Sequence, residues 1–395
     1  MSMGSNKSRV YVRTLKEVAR IMAVYLDCNA TTPVSSGVAE VVMRYMTEEY
    51  GNSGSRTHEF GVVAKQAVER ARGQVAAVVG ADKSDVYFTS GATESNNLAI
   101  LGLAQYAEQQ GRKHIITTPI EHKAVLEPIA QLEAKGFEVT YLPMDSSGMV
   151  DPAHLRDALR PDTALVSIMH INNETGSIQP ISELCEVLTS HDAFFHVDAA
   201  QSYGKYSEVL EDPRIDMISV SGHKMYAPKG VGALLLKRRN FKRAPLTPLM
   251  FGGGQERGLR PGTLPVALIA GLGQACEEAK RDSEQRRRYC EQIKEQLRSA
   301  LRPLGCIENG RNTASHVLNV SIPGINSEAA LVVLKGIVAL SNGSACTSQS
   351  YVPSHVLMAM GLDEERIEGA IRISWCHMTK DIPLAELVDR IKKLQ

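Results

Sequence analysis

Between residues 62 and 237 the chain alternates two hydrophobic rhythms. Short apolar runs rich in β-branched residues recur at Val86-Tyr87-Phe88, His114–Thr117, Phe137–Tyr141, Ala164–Ile168, Phe194–Val197, Met217–Val220 and Gly232–Leu236. Between the first six lie stretches with helical spacing, at 62–79, 94–110, 123–135 and 179–190. Continuous rather than alternating apolar runs suit strands buried on both faces, so the pattern predicts an α/β architecture with a mostly parallel seven-stranded sheet between helical layers. After the Gly/Pro-rich passage 252–265 the texture becomes one long charged helical pattern, about 266–303, followed by mixed short strands and helices. The predicted organisation is an extension at 1–22, a large domain at 36–265, and a smaller α+β domain built from 23–35 and 266–395.

A chain of 395 residues exceeds one ordinary hydrophobic core and can bury a deep site. Its 44 basic and 44 acidic side chains cancel, and no long block of one sign offers a footprint for nucleic acid or an anionic membrane. No apolar run approaches the length of a membrane span. The seven cysteines (28, 185, 276, 290, 306, 346 and 376) are odd in number, scattered and never in a CxxC pair, which argues against a disulfide framework or a zinc site. Free thiols in a reducing cytoplasm are expected, with no metal assigned. Residues 1–22 carry Lys7, Arg9, Arg13, Lys16 and Arg20 against Glu17; a targeting segment, a tag remnant and an upstream start all fit, and a dispensable extension fits best.

In open parallel sheets ligands collect at the carboxyl ends of the strands, so chemistry is sought just after each apolar run. Lys224, in Ser219-Val-Ser-Gly-His-Lys, stands there. A solvated loop lysine is the ordinary reading, but a lysine beside a cluster of phosphate-sized donors is what a Schiff base to pyridoxal phosphate requires. Asp198 follows the run ending at Val197 and is either a helix cap or the carboxylate that keeps a pyridine nitrogen protonated. Gln201, one short turn on, is either a donor to the cofactor's phenolic oxygen or a surface glutamine. Ser90-Gly-Ala92-Thr93 precedes a helix and offers N–H groups to an anion, unless Thr93 simply caps; Ser221 and His223 complete such a cup. His122, at another strand-to-helix junction, is a candidate general acid or base stacked on the cofactor. Cys346 lies in a stretch of small polar residues where a thiol can ionise and reach a substrate, unlike the apolar settings of Cys185, Cys276 and Cys376. Arg372 is a candidate clamp for a substrate carboxylate.

With these pieces assembled, the chain resembles the NifS/IscS-type cysteine desulfurases of the class V aminotransferase group from about Val24 to Lys380. The passages that carry the likeness are Tyr25-Leu-Asp-Cys-Asn-Ala-Thr-Thr-Pro33, Phe88-Thr-Ser-Gly-Ala-Thr-Glu-Ser-Asn-Asn97, Glu121-His-Lys-Ala124, Met169-His-Ile-Asn-Asn-Glu174, His196-Val-Asp-Ala-Ala-Gln201, Ser221-Gly-His-Lys224, Arg260-Pro-Gly-Thr263 and Gly343-Ser-Ala-Cys-Thr-Ser348. The resemblance implies a fold-type I pyridoxal-phosphate transferase that converts L-cysteine to alanine. It implies Lys224 as the Schiff-base lysine, His122 on the ring, Asp198 at the pyridine nitrogen, and Asn173 and Gln201 on the ring-oxygen side, with Asn173 also near substrate. Phosphate contacts are implied for Ala92, Thr93, Ser221 and His223, with Thr263 donated by the second subunit of a homodimer. Cys346 becomes the persulfide carrier for an acceptor protein, whose pathway is iron–sulfur assembly or thio-modification of nucleic acid.

Within the group, Asp212-Pro-Arg-Ile-Asp216 and Met250-Phe-Gly-Gly-Gly-Gln-Glu-Arg257 resemble the desulfurases of DNA phosphorothioation systems. The sequence ends at Gln395 without the tail by which housekeeping desulfurases dock their iron–sulfur scaffold, which puts loading of such a scaffold in doubt. Two rivals remain open at this level. An aminotransferase or selenocysteine lyase would share Lys224 and Asp198 without needing the loop thiol, and a non-catalytic sulfur-relay subunit would keep the fold for docking alone.

Overall fold

The computed structural model describes residues 23–342 and 352–395. In chain order its elements are β1 (Val24–Tyr25), α1 (Ser36–Thr47), α2 (Glu59–Ala77), β2 (Val86–Thr89), α3 (Ala92–Gln109), β3 (His114–Thr117), α4 (Lys123–Glu133), β4 (Glu138–Tyr141), α5 (Pro152–Ala158), β5 (Thr163–Met169), α6 (Ile181–Leu188) and β6 (Phe194–Asp198). They continue with β7 (Met217–Ser221), β8 (Gly232–Leu236), α7 (Val266–Leu301), β9 (Ile307–Glu308), β10 (Val317–Ser321), α8 (Ser327–Leu334), β11 (Val338–Ala339), α9 (His355–Ala359), α10 (Glu364–Glu368), β12 (Ala370–Ser374) and α11 (Leu384–Lys392).

Seven strands form the main sheet in the order β2-β8-β7-β6-β5-β3-β4. All pairings are parallel except those of β8, which runs antiparallel to both β2 and β7. Chain length dictates that exception. A parallel crossover needs a dozen or more residues, usually with a helix, and the short link from Ser221 to Gly232 holds only one helical turn. The apolar runs alternate between two cores, as a pleated strand requires. Phe88, Ile116, Val166 and Leu235 join α1, α2, α6 and the start of α7 on one face. Their neighbours Tyr87, Ile115, Leu165 and Leu234 join α3 and α4 on the other.

Smaller sheets, β12-β10-β9 and β1-β11, accompany a further core built around Leu318, Ile371, Ile373 and Trp375. The helix α7 crosses between cores. Ile269 to Ala279 pack with the large sheet, whereas Cys290, Ile293, Leu297 and Leu301 pack with Trp375. The predicted helix at 94–110 starts earlier, at Ala92, because Gly91 (φ 153°) turns the chain straight from β2 into the helix. No described helix is long and apolar enough to cross a membrane.

Candidate active site

The carboxyl ends of β2, β3, β5, β6 and β7 open onto one cavity of about 520 Å³, closed on the far side by Asn29, Ala30 and Arg372. Ala92, Thr93, His122, Asn173, Asp198, Gln201, Ser221, His223 and Lys224 all line it. The sequence-based expectation that chemistry gathers at strand ends therefore selects residues that meet in space.

Asp198 closes β6 and is 6% exposed. Its Oδ2 accepts from Asn96 Nδ2 at 2.7 Å and its Oδ1 from the Ala200 backbone N–H at 2.9 Å. The helix-cap reading fails because no helix begins there; both bonds hold the carboxylate in a fixed orientation. Lys224 ends the helical turn after β7 and donates from Nζ to the backbone oxygens of Asn29 and Ala30, the latter at 2.8 Å. Gln201 donates to that same Asn29 oxygen at 2.9 Å, while its Oε1 and the Asn29 Oδ1 are buried without a partner among the described residues. Buried orphan acceptors of this kind mark a place where a ligand donor belongs.

At the other end of the cavity α3 begins at Ala92 with no side chain capping it. Thr93 is therefore not the cap, and the first N–H groups of the helix face the cup with its positive dipole end. Gly91 is required here: its φ of 153° is rare for L side chains, and a Cβ would meet no protein atom within 4 Å, so it would project into open space. The His223 Nδ1 lies 3.2 Å from Thr31 Oγ1. Burial, helped by Lys224, pushes its pKa down to about 4, so it serves as a neutral hydrogen-bonding group.

His122 caps α4, its Nδ1 accepting from the Ala124 N–H at 3.0 Å. That bond assigns the proton to Nε2. The ring faces the open cavity, yet surrounding protein lowers its pKa, with Lys224 adding to the effect and Asp198 opposing it.

Arg372 is 2% exposed, so the alternative of a surface ion pair does not hold. Its Nη2 bonds Asp27 Oδ1 at 2.6 Å and its Nη1 the Asn173 carbonyl at 3.1 Å, which leaves Nε buried and unpaired among the described residues. Thr263 lies apart, in a second depression with Lys65, Arg72 and Glu256. Cys346 lies outside the described residues. Sequence reasoning missed Asn96 and Asn29. Both stand within quoted passages, but their contacts span 102 and 195 positions in the chain, and no spacing rule could have paired them with Asp198 and Lys224.

The pattern of the class-V aminotransferases matches residues 24–382, and the chain belongs to that family. Within it the chain falls among the NifS/IscS-type cysteine desulfurases. It is 45% identical over 376 residues to cysteine desulfurase IscS of Vibrio cholerae serotype O1, covering 94% of this chain and 92% of that protein. Among solved structures, a NifS-like protein superposes with TM-score 0.85 at 39% identity, covering 94% of this chain and 98% of the other. DndA from Streptomyces lividans superposes with TM-score 0.78 at 49% identity, covering 88% and 98%.

Proposed function

We propose that this protein is a cysteine desulfurase that holds pyridoxal phosphate in the cavity, moves the sulfur of L-cysteine onto Cys346 and releases alanine. The observation that carries the reading is the meeting of Lys224 and Asp198, 26 residues apart in sequence, in one cavity with an uncapped helix N-terminus. The donor set fits the cofactor. Asp198 would offer its carboxylate to a pyridinium, the α3 N-terminus with Thr93, Ser221 and His223 suits a phosphate, and Gln201 and Asn173 would take the ring-oxygen side. When bound, pyridoxal phosphate supplies an electron-accepting ring that takes up charge as the substrate Cα proton leaves.

The chain's own groups do the rest. Lys224 would hold the cofactor, and its amine would carry the substrate Cα proton. His122, with its proton on Nε2, lines the cavity and would be the proton carrier for the departing product. Arg372 and Asn173, which both line the cavity, would hold the substrate carboxylate. The Cys346 thiolate takes the substrate sulfur, so that cysteine plus enzyme thiol gives alanine plus enzyme persulfide, and an acceptor protein then collects the sulfur.

The proposal includes a large cofactor-binding unit at 36–265 and a smaller unit from 23–35 and 266–395, with the first half of α7 lent to the large core. It also includes a homodimer in which Thr263 of one copy completes the phosphate cup of the other, and a cytoplasmic setting with no direct nucleic-acid or membrane contact. The likeness of Asp212-Pro-Arg-Ile-Asp216 and Met250-Phe-Gly-Gly-Gly-Gln-Glu-Arg257 to the desulfurases of DNA phosphorothioation systems supports a place in that pathway, reached through the sulfur acceptor. One stoichiometric dose of L-cysteine tests the reaction: intact-mass analysis should show a gain of one sulfur atom mapping to the Cys346 peptide and absent from Cys346→Ser. Sulfur found elsewhere, or release at the wild-type rate from that variant, would refute the carrier assignment.

A further inference from the structure

Glu121, the chain neighbour of His122, has none of its surface in solvent. One carboxyl oxygen, Oε1, accepts from the Thr118 hydroxyl at 2.8 Å and from the Met169 backbone N–H at 2.9 Å. The other, Oε2, is buried with no hydrogen-bond partner among the described residues. No lysine or arginine acts on it there, and the charge that does, Asp198, has the same sign as a carboxylate. An ionised Glu121 would strand an unpaired anionic oxygen in the interior, a costly way to bury a polar group. A carboxylic acid would leave only one unmet O–H, a much smaller penalty.

We infer that Glu121 is a neutral carboxylic acid in the working protein and acts as a positioning residue, tying the end of β3 to the end of β5 without placing a second negative charge beside Asp198. Met169 lies opposite Asp198 in the β5–β6 ladder, so the bonds that fix the turn carrying His122 also fix the strand carrying Asp198. The titratable groups around Glu121 are Asp198 on β6, His122 beside it, and His355 of α9, whose Nε2 meets the Glu121 backbone oxygen at 3.0 Å rather than the carboxyl. Burial pushes the Glu121 pKa to about 8 despite its two hydrogen bonds. The purpose of a lone Asp198 charge rests on the proposed function; the protonation of Glu121 does not.

The test therefore uses the protein without added cofactor. Glu121→Gln keeps the shape and both acceptor bonds but cannot ionise, and Glu121→Ala removes the tie. Thermal midpoints of wild type and both variants are measured from about pH 5 to about pH 9, spanning the ordinary carboxyl range and the raised value. The folded state retains a proton that the unfolded chain loses, so wild-type stability is intact below the ordinary carboxyl pKa and declines as pH rises towards about 8. Glu121→Gln should track wild type at the acid end and gain on it steadily until about pH 8, whereas Glu121→Ala should lie lower throughout. The infrared carbonyl stretch of a protonated carboxyl should be present near neutral pH in wild type and absent from Glu121→Gln. In the loaded enzyme, kcat/KM is expected to fall in wild type as Glu121 ionises towards about pH 8 and not to show that fall in Glu121→Gln. A pH-independent difference between wild type and Glu121→Gln, or no carboxylic-acid band, would overturn the inference whether or not the protein makes alanine.

Discussion

Asp198 gains its orientation from two donors, the Asn96 side-chain amide and the Ala200 backbone N–H. A hydrogen bond to a charged group contributes roughly 1.5–3 kcal/mol. Asn96→Ala should therefore weaken pyridoxal phosphate binding about tenfold or more, read by titration of the cofactor-free protein. His122 is held below the ordinary histidine value by burial and by Lys224. Its imidazole stays neutral to lower pH than a free histidine would, so the acid limb of kcat/KM should fall below about 6.5 and disappear in His122→Asn. At this scale the sequence was informative about residue types at strand ends and silent about second partners. Lys224, Asp198 and His122 each follow an apolar run and could be singled out; Asn96 lies inside a helix and Asn29 in irregular chain, and only the assembled sheet brings them to the carboxylate and the amine.

Strands and helices were legible because each buried run is short, apolar and bounded by polar turns. The direction of β8 was not in its pattern, since a strand buried on both faces reads the same in either sense; the length of the link before it decides. His196 ties three strands together, its Nδ1 meeting Ser167 of β5 and its Nε2 Ser219 of β7, both at 2.9 Å. Burial pushes its pKa down to about 4. A depressed histidine contributes stability that is present above the unfolded value near 6.5 and is lost as pH falls through the folded one. The protein should lose stability between about pH 6.5 and 4, and His196→Gln should flatten that part of the pH–stability curve in urea titrations. Beneath β2, Glu256 pairs with Arg72 at 2.6 Å, with side chains 1% and 7% exposed, and accepts from the Phe88 N–H at 2.8 Å. Removing Glu256 leaves the buried Arg72 with the more exposed Glu69 as its remaining ion-pair partner and the Phe88 N–H without its acceptor, so Glu256→Ala should cost about 3 kcal/mol in equilibrium unfolding.

Across the whole molecule, α7 contributes to both principal cores, which couples them. The single tryptophan, Trp375, is 1% exposed in the smaller core and donates to the Cys290 carbonyl of α7 at 2.9 Å. Its fluorescence should therefore change together with the far-ultraviolet signal of the large sheet in one transition; two separated midpoints would show that α7 does not link the cores. The same arrangement explains why the sequence suggested a boundary at 266 while the packing runs through it, because a helix reads as one element even where its two halves serve different cores. The central claim, that Lys224 and Asp198 in this cavity make the protein a desulfurase, is tested most directly by alanine. Purified protein supplied with pyridoxal phosphate is given L-cysteine, and alanine is measured against the sum of persulfide and sulfide in the same tube. The account predicts equal amounts from wild type and no alanine from Lys224→Ala. A loaded wild-type protein that forms no alanine, or a Lys224→Ala variant that forms it as fast as wild type, would contradict it.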